Sequence, residues 1–227
     1  MAKVCLDAGH GGEPGAVYKG RKESDDNLAL GRAVATELRR HGVIVDETRT
    51  EDKTVSLNDR SAFENKGSYD YFISFHRNAF KPEQAKGVET YTYLNPGAKA
   101  KGLADKIQAA LVGVGFTNRG VKTANFHVLR ETKAPAVLME VGFIDNKGDN
   151  QLFDTKRDEI VAAITGAILA QLGIAYSPPT IPPPQQQTGQ VLYRVMAGSY
   201  AVRENAERQV QKLKAAGFDA TIMIFKP

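Results

Sequence analysis

Residues 3–12, Lys-Val-Cys-Leu-Asp-Ala-Gly-His-Gly-Gly, constrain this chain more than any other stretch. A short apolar run ends in an acid and passes into a glycine-rich bend that carries a histidine. Open α/β sheets keep their chemistry in such bends, outside the carboxyl ends of the strands. Glycine permits the sharp turn that leaves the His10 ring free to point into the crevice. Three readings of the loop compete: a ligand, a satisfied structural histidine, or a phosphate cradle. The last lacks support, because no Lys-Ser/Thr pair follows and the glycines miss the dinucleotide spacing.

The remaining chain alternates strand and helix. Residues 24–40 place Leu28, Val34, Ala35 and Leu38 at helical spacing, with Ser24, Asp25 and Asp26 suited to the first turn and Gly42 beyond the end. Further helices are predicted at 56–66, 98–112 and 157–172. Strands are predicted at 2–7, 43–48, 69–75 and 135–141, with 87–94 as an edge or half-buried strand and a glycine-rich loop around 113–120. The pattern is that of an α/β domain: a mostly parallel twisted sheet of about six strands with helices on both faces.

Residues 176–189 hold five of the ten prolines and no charge. They read as a linker stiffened toward polyproline II, with a reach of roughly 40 Å if extended. Beyond it, 191–200 and 218–225 read as strands around a helix at 203–216, a small βαβ C-terminal module too short to bury a core alone. The expected organisation is a domain over 1–175, a linker over 176–189 and a module over 190–227.

Composition narrows the function classes. Hydrophobic residues make up 42% of the chain and charged residues 25%, as in ordinary globular proteins. Residues 1–174 are nearly balanced, with 24 basic and 23 acidic side chains, whereas 190–227 carry six basic and three acidic. That tail could face an anionic polymer or form a solvated helix face. Its basic residues are dispersed rather than interleaved with aromatics, which argues against nucleic acid. The lone Cys5 cannot form an intramolecular disulfide and reads as a buried thiol within the first strand. No apolar run approaches the roughly 20 residues of a membrane span. No secretory signal precedes the first strand, so the expectation is synthesis in a cytoplasm, with no membrane insertion.

Four polar residues fall at strand ends or helix starts on one edge of the expected sheet: His10, Glu23, His76 and Glu140. Two imidazoles and a carboxylate make a set of the kind that binds catalytic zinc with a position left for water. A carboxylate within Val-Leu-Met-Glu140-Val-Gly-Phe needs a function or a partner to stay ionised. The competing reading is separate, satisfied histidines and surface glutamates.

Asp7-Ala-Gly-His10-Gly-Gly, Glu23 with Asn27-Leu28, Thr48-Arg49, the helix with Leu57 and Arg60, Ser74-Phe-His76-Arg-Asn78-Ala and Pro135-Ala-Val-Leu-Met-Glu140-Val-Gly-Phe-Ile-Asp-Asn146 occur in order over 2–172. This series resembles the zinc-dependent N-acetylmuramoyl-L-alanine amidases of the Amidase_3 family. The resemblance implies one zinc ion held by His10, Glu23 and His76, with Glu140 as the catalytic acid/base. The implied reaction is hydrolysis of the amide joining N-acetylmuramic acid to L-alanine in bacterial peptidoglycan. One departure is Glu13-Pro-Gly-Ala after the double glycine, where the family usually has Asp-Pro-Gly-Ala one residue later. Asn78 and Arg130 are candidates to hold substrate or to serve the structure. Asp7 could orient His10 or cap the loop backbone, while His127 and His41 read as structural.

The tail segment Tyr193-Arg-Val-Met-Ala-Gly-Ser-Tyr200, with Asn205-Ala-Glu-Arg and Leu213 to Phe218, resembles half of a SPOR-type peptidoglycan-binding domain. Two chains pairing their halves would give a homodimer. The whole resembles a wall-lytic enzyme, either a phage endolysin released to the wall through a membrane hole or an autolysin. Rival classes are a non-catalytic peptidoglycan-binding protein and a zinc peptidase cutting the stem peptide.

Overall fold

The structure, a computed structural model, describes residues 1–179 and 196–223. The chain divides into two compact units, Met1–Pro179 and Thr180–Pro227. The first runs β1 (Lys3–Ala8), a hairpin of β2 (Val17–Tyr18) and β3 (Arg21–Lys22), α1 (Glu23–Arg40), β4 (Ile44–Glu47), α2 (Leu57–Lys66), β5 (Tyr71–Asn78), β6 (Val88–Thr92), α3 (Ala98–Val114), β7 (Asn118–Thr123), α4 (His127–Arg130), β8 (Ala136–Phe143), α5 (Lys147–Thr155) and α6 (Arg157–Leu172). Local chemistry explains the helix starts. Glu23, Asp25 and Asp26 occupy the positive end of α1 and Arg39 and Arg40 its negative end. The Ser56 hydroxyl caps α2 by accepting from the Asp59 amide.

The sheet order is β4-β1-β5-β8-β6-β7. The strand pairs are parallel except β6 against β8. Strand alternation sorts the core into two clusters. Val4, Leu6, Ile73, Phe75, Val137 and Met139 pack with α1, α3 and α6 on one face. Cys5, Phe72, Ala136 and Leu138 pack on the other with Val128 and Leu129 of the much shorter α4, against which α2 rests. Cys5 is buried, and that burial pushes its thiol far above the ordinary range; it is inert packing.

Helices therefore cover both faces, as the alternation predicts. The first unit also departs from the sequence expectation. The segment expected to be loop around 113–120 already enters β7 at Asn118, so β6 is not an edge strand. The reason is a bulge: Val88 pairs with Asn118 but Thr90 with Val121, so β7 holds one extra residue there and its alternation is lost. The short hairpin and α4 are too brief for a periodic signal, and the nine-residue α5, whose first turn Asn146 caps through the Asp149 amide, was not expected either.

In the second unit the expected helix is present as α7 (Arg203–Ala215), and none of its residues is buried. The described parts of the two flanking segments, 196–200 and 218–223, contain no strand. Their remainder, with residues 180–189 of the expected linker, lies outside the described residues. Among the described residues no helix is long and apolar enough to cross a membrane.

Candidate metal centre

On the face covered by α4, in-register partners form three rows from apolar to polar. Cys5, Phe72 and Ala136 make the first; Asp7, Ser74, Leu138 and Tyr91 the second; His76, Glu140 and Glu89 the third. The polar row lies at the carboxyl end of β5, where the first βα loop also arrives.

That loop turns on three consecutive left-handed residues, His10 (φ 61°), Gly11 (φ 111°) and Gly12 (φ 68°). The conformation is strained for His10, and two arginines hold it. Arg49 donates to the carbonyls of Ala8 (2.8 Å) and Gly9 (3.0 Å), and Arg60 to those of Ala8 (2.8 Å) and His10 (2.6 Å). Asp7 neither orients the His10 ring nor caps the loop. Its carboxylate accepts from Thr48 Oγ1, Arg60 Nη1 and Ser74 Oγ at 2.6–2.7 Å, so it reaches the loop only through Arg60. Burial pushes the Asp7 carboxyl up, but Arg60 and the two hydroxyls outweigh it and hold it below the usual range.

Glu23, the first residue of α1, stands between the histidines. Its Oε2 lies 3.1 Å from His10 Nε2 and its Oε1 2.9 Å from His76 Nδ1. The Ala16 and Arg77 amides donate to the same carboxylate, as does the Asn27 amide side chain. Burial alone would raise its pKa; the histidine contacts overturn this and leave it firmly ionised. Glycine is needed where backbone meets ring: a Cβ on Gly9 would stand 2.2–2.8 Å from His76 ring atoms. One on Gly15 would stand 2.6–2.7 Å from the His10 ring and Glu23 Oε2.

Glu140 projects from β8 beside His76. Its Oε2 is buried and has no hydrogen-bond partner. Burial, assisted by Glu23 and Glu89 and opposed by His76, pushes its carboxyl up to about 7. Asn78 ends β5 and donates to Glu89. Arg130 is exposed and bonded to Glu131 and Asn125, with no hydrogen bond to the four polar residues. His127 contacts Ser61, and His41 contacts the Glu37 carbonyl and the Ser177 amide; both serve the fold.

Sequence reasoning missed Glu89. It is 3% exposed, occupies the third row and accepts from Asn78, Arg119 and Lys122. Burial raises its pKa, and the two cations overcome that and keep it ionised. Only the pairing of β6 with β8 puts it next to Glu140, and no local motif announces that pairing.

The residues present fit a metal ion. One donor atom each from His10, Glu23 and His76 lie within 4.8 Å of one another. Two nitrogens and a carboxylate oxygen form the donor set of a catalytic zinc site, with a position left for water.

A family profile described as N-acetylmuramoyl-L-alanine amidase (Amidase_3) matches residues 4–170, and a SPOR domain profile matches residues 165–223. The sporulation-specific N-acetylmuramoyl-L-alanine amidase of Bacillus subtilis is 34% identical over 229 residues, covering 99% of this chain and 85% of its own. The endolysin of Bacillus phage SPP1 is 40% identical over 166 residues, covering 70% of this chain and 60% of its own. Among solved structures, an N-acetylmuramoyl-L-alanine amidase from Clostridium difficile 630 superposes with a TM-score of 0.73 at 34% identity, over 76% of this chain and 97% of its own. The catalytic domain of an N-acetylmuramoyl-L-alanine amidase from Bacillus (Paenibacillus) polymyxa var. colistinus gives 0.71 at 31% identity, over 77% and 99%.

Proposed function

The chain belongs to the N-acetylmuramoyl-L-alanine amidase family and hydrolyses peptidoglycan, and from that premise we propose that it does so as a zinc enzyme, with the ion held by His10, Glu23 and His76 and with Glu140 as acid/base. The bond cut is the amide between N-acetylmuramic acid and L-alanine. Zinc bound there would polarise the scissile carbonyl and make a water acidic near neutral pH. Glu140 takes the proton of the attacking water and then returns it to the alanine nitrogen, which must be protonated to leave. A carboxyl raised toward neutrality is suited to both transfers. The observation that carries this assignment is the unpartnered Oε2 of Glu140, one strand from His76.

Residues 1–175 are the proposed catalytic domain and 176–189 the linker. The SPOR-type tail over 190–227 binds peptidoglycan. Pairing of two tails in a homodimer belongs to the same proposal; a monomeric elution profile of the full chain at micromolar concentration would remove it. The site of action is the bacterial cell wall, reached after synthesis in a cytoplasm.

The test incubates purified peptidoglycan with the unaltered chain and with Glu140→Gln. New amino-terminal alanine without new reducing sugar ends is expected. It should fall by about 100-fold or more in the variant and disappear on chelation. New termini of another residue would mean a stem peptidase. No cleavage, with the protein still bound to wall, would mean a binding protein.

A further inference from the structure

The third row continues past Glu140 to Glu89, and Glu89 gathers two cations from β7. Residues three apart on a regular strand, such as Arg119 and Lys122, point to opposite faces. The extra residue at the β7 bulge, next to Gly120 (φ 87°), cancels that difference, so both reach Glu89. Arg119 is pinned twice: its Nε donates to Glu89 at 3.2 Å, and its guanidinium lies over the Phe143 ring at 4.9 Å. Its two terminal nitrogens have no hydrogen-bond partner among the described residues. The side chains of Arg119 and Lys122 remain 34% and 40% exposed. One buried carboxylate thus holds two partly exposed cations, and the cluster keeps one positive charge in excess.

We propose that Arg119 and Lys122, positioned by Glu89, form a subsite for a carboxylate on the stem peptide, the free α-carboxylate of the residue after the alanine. Fixed, forked N–H donors of arginine suit bidentate capture of a carboxylate. Distance supports that residue. Strands lie about 4.8 Å apart, so Glu89 is one spacing from Glu140 and its cations gather there. An extended peptide advances roughly 3.5 Å per residue, which carries a group two residues along to about 7 Å from the scissile amide. The proposal rests on the amidase assignment, which fixes where the amide lies.

The test uses the full zinc-loaded chain with Glu140→Gln, so that ligand is held uncut. Calorimetry compares N-acetylmuramoyl-L-alanyl-γ-D-glutamyl-L-lysine with the same compound amidated at the glutamyl α-carboxyl. The free acid should bind about ten-fold tighter or more, as expected for a charge-assisted contact. Adding Arg119→Gln and Lys122→Gln should bring the two affinities within about three-fold. Equal affinities before those substitutions, or a preference that survives them, would overturn the proposal. If the double substitution unfolds the chain by stripping Glu89 of partners, Lys122→Gln alone must still reduce the preference, and an unchanged preference then overturns it. Alanine release by the unaltered chain reports separately on the amidase assignment: its absence beside an intact carboxylate preference would sink the assignment and leave the subsite.

Discussion

Gly9 contributes to the metal centre through the Cβ it lacks. With His76 ring atoms 2.2–2.8 Å from where a Cβ would stand, Gly9→Ala must displace the imidazole. Zinc affinity, measured by competition with a chelator, should fall about 10–100-fold, the range typical when a ligand's support is disturbed. Asp7 acts at one remove. Its ion pair with Arg60 is buried, with side chains 1% and 4% exposed. Arg60→Met would leave an uncompensated carboxylate and cost about 3–5 kcal/mol in denaturant melts. Because folding depresses the Asp7 pKa, its contribution to stability is complete above the unfolded value of about 3.9 and is lost as pH falls through the folded value. Melting temperatures below about pH 4 should therefore decline less steeply in Asp7→Asn than in the unaltered chain. Equal slopes would show that Asp7 titrates alike in both states.

At the scale of elements, β7 turns a sheet margin into part of the site. Gly120 has a left-handed φ and open space where a Cβ would go. Gly120→Ala therefore has only the backbone cost to meet, about 1–2 kcal/mol. Denaturant melts read that cost directly, and a loss below about 0.3 kcal/mol would mean that the bulge relaxes freely. The same bulge explains what the sequence could and could not disclose. Long segments such as α1 and α6 were legible, α1 because its apolar residues gather on one face and α6 because Ile160, Ile164 and Ile168 recur four apart in a run of good helix formers. His10, Glu23, His76 and Glu140 could be named as candidates because the stretches around them resemble the family, and the fold brings donor atoms of His10, Glu23 and His76 within 4.8 Å of one another. Glu89 was not legible: its meaning comes from an antiparallel neighbour about 50 residues away in the chain, and strand pairing leaves no local mark. Arg119 stayed hidden because the bulge breaks the alternation that would have exposed a strand. Arg130 was attractive as a cation near the last strand, yet its partners Glu131 and Asn125 are local.

For the whole molecule, the core clusters of the first unit, among the described residues, are built from residues up to Tyr176. Ending the chain at Pro179 should change its stability by less than about 0.5 kcal/mol and leave hydrolysis of a soluble muramoyl peptide in place. Retention on sedimented cell wall should drop, since the SPOR match reaches Leu213 and beyond. Undiminished retention would move wall binding to the catalytic unit. The polar row also has an unequal exposure to change. His76 and Glu140 stand on β5 and β8, each clamped by a strand on either side, whereas Arg119 and Lys122 stand on a marginal strand with one neighbour. Random substitution at 118–123 should leave more folded clones than substitution at 72–78. Descendants of this chain can drift in the substrates they prefer while the reacting centre stays frozen, because heritable variation is cheapest at the rim of the sheet.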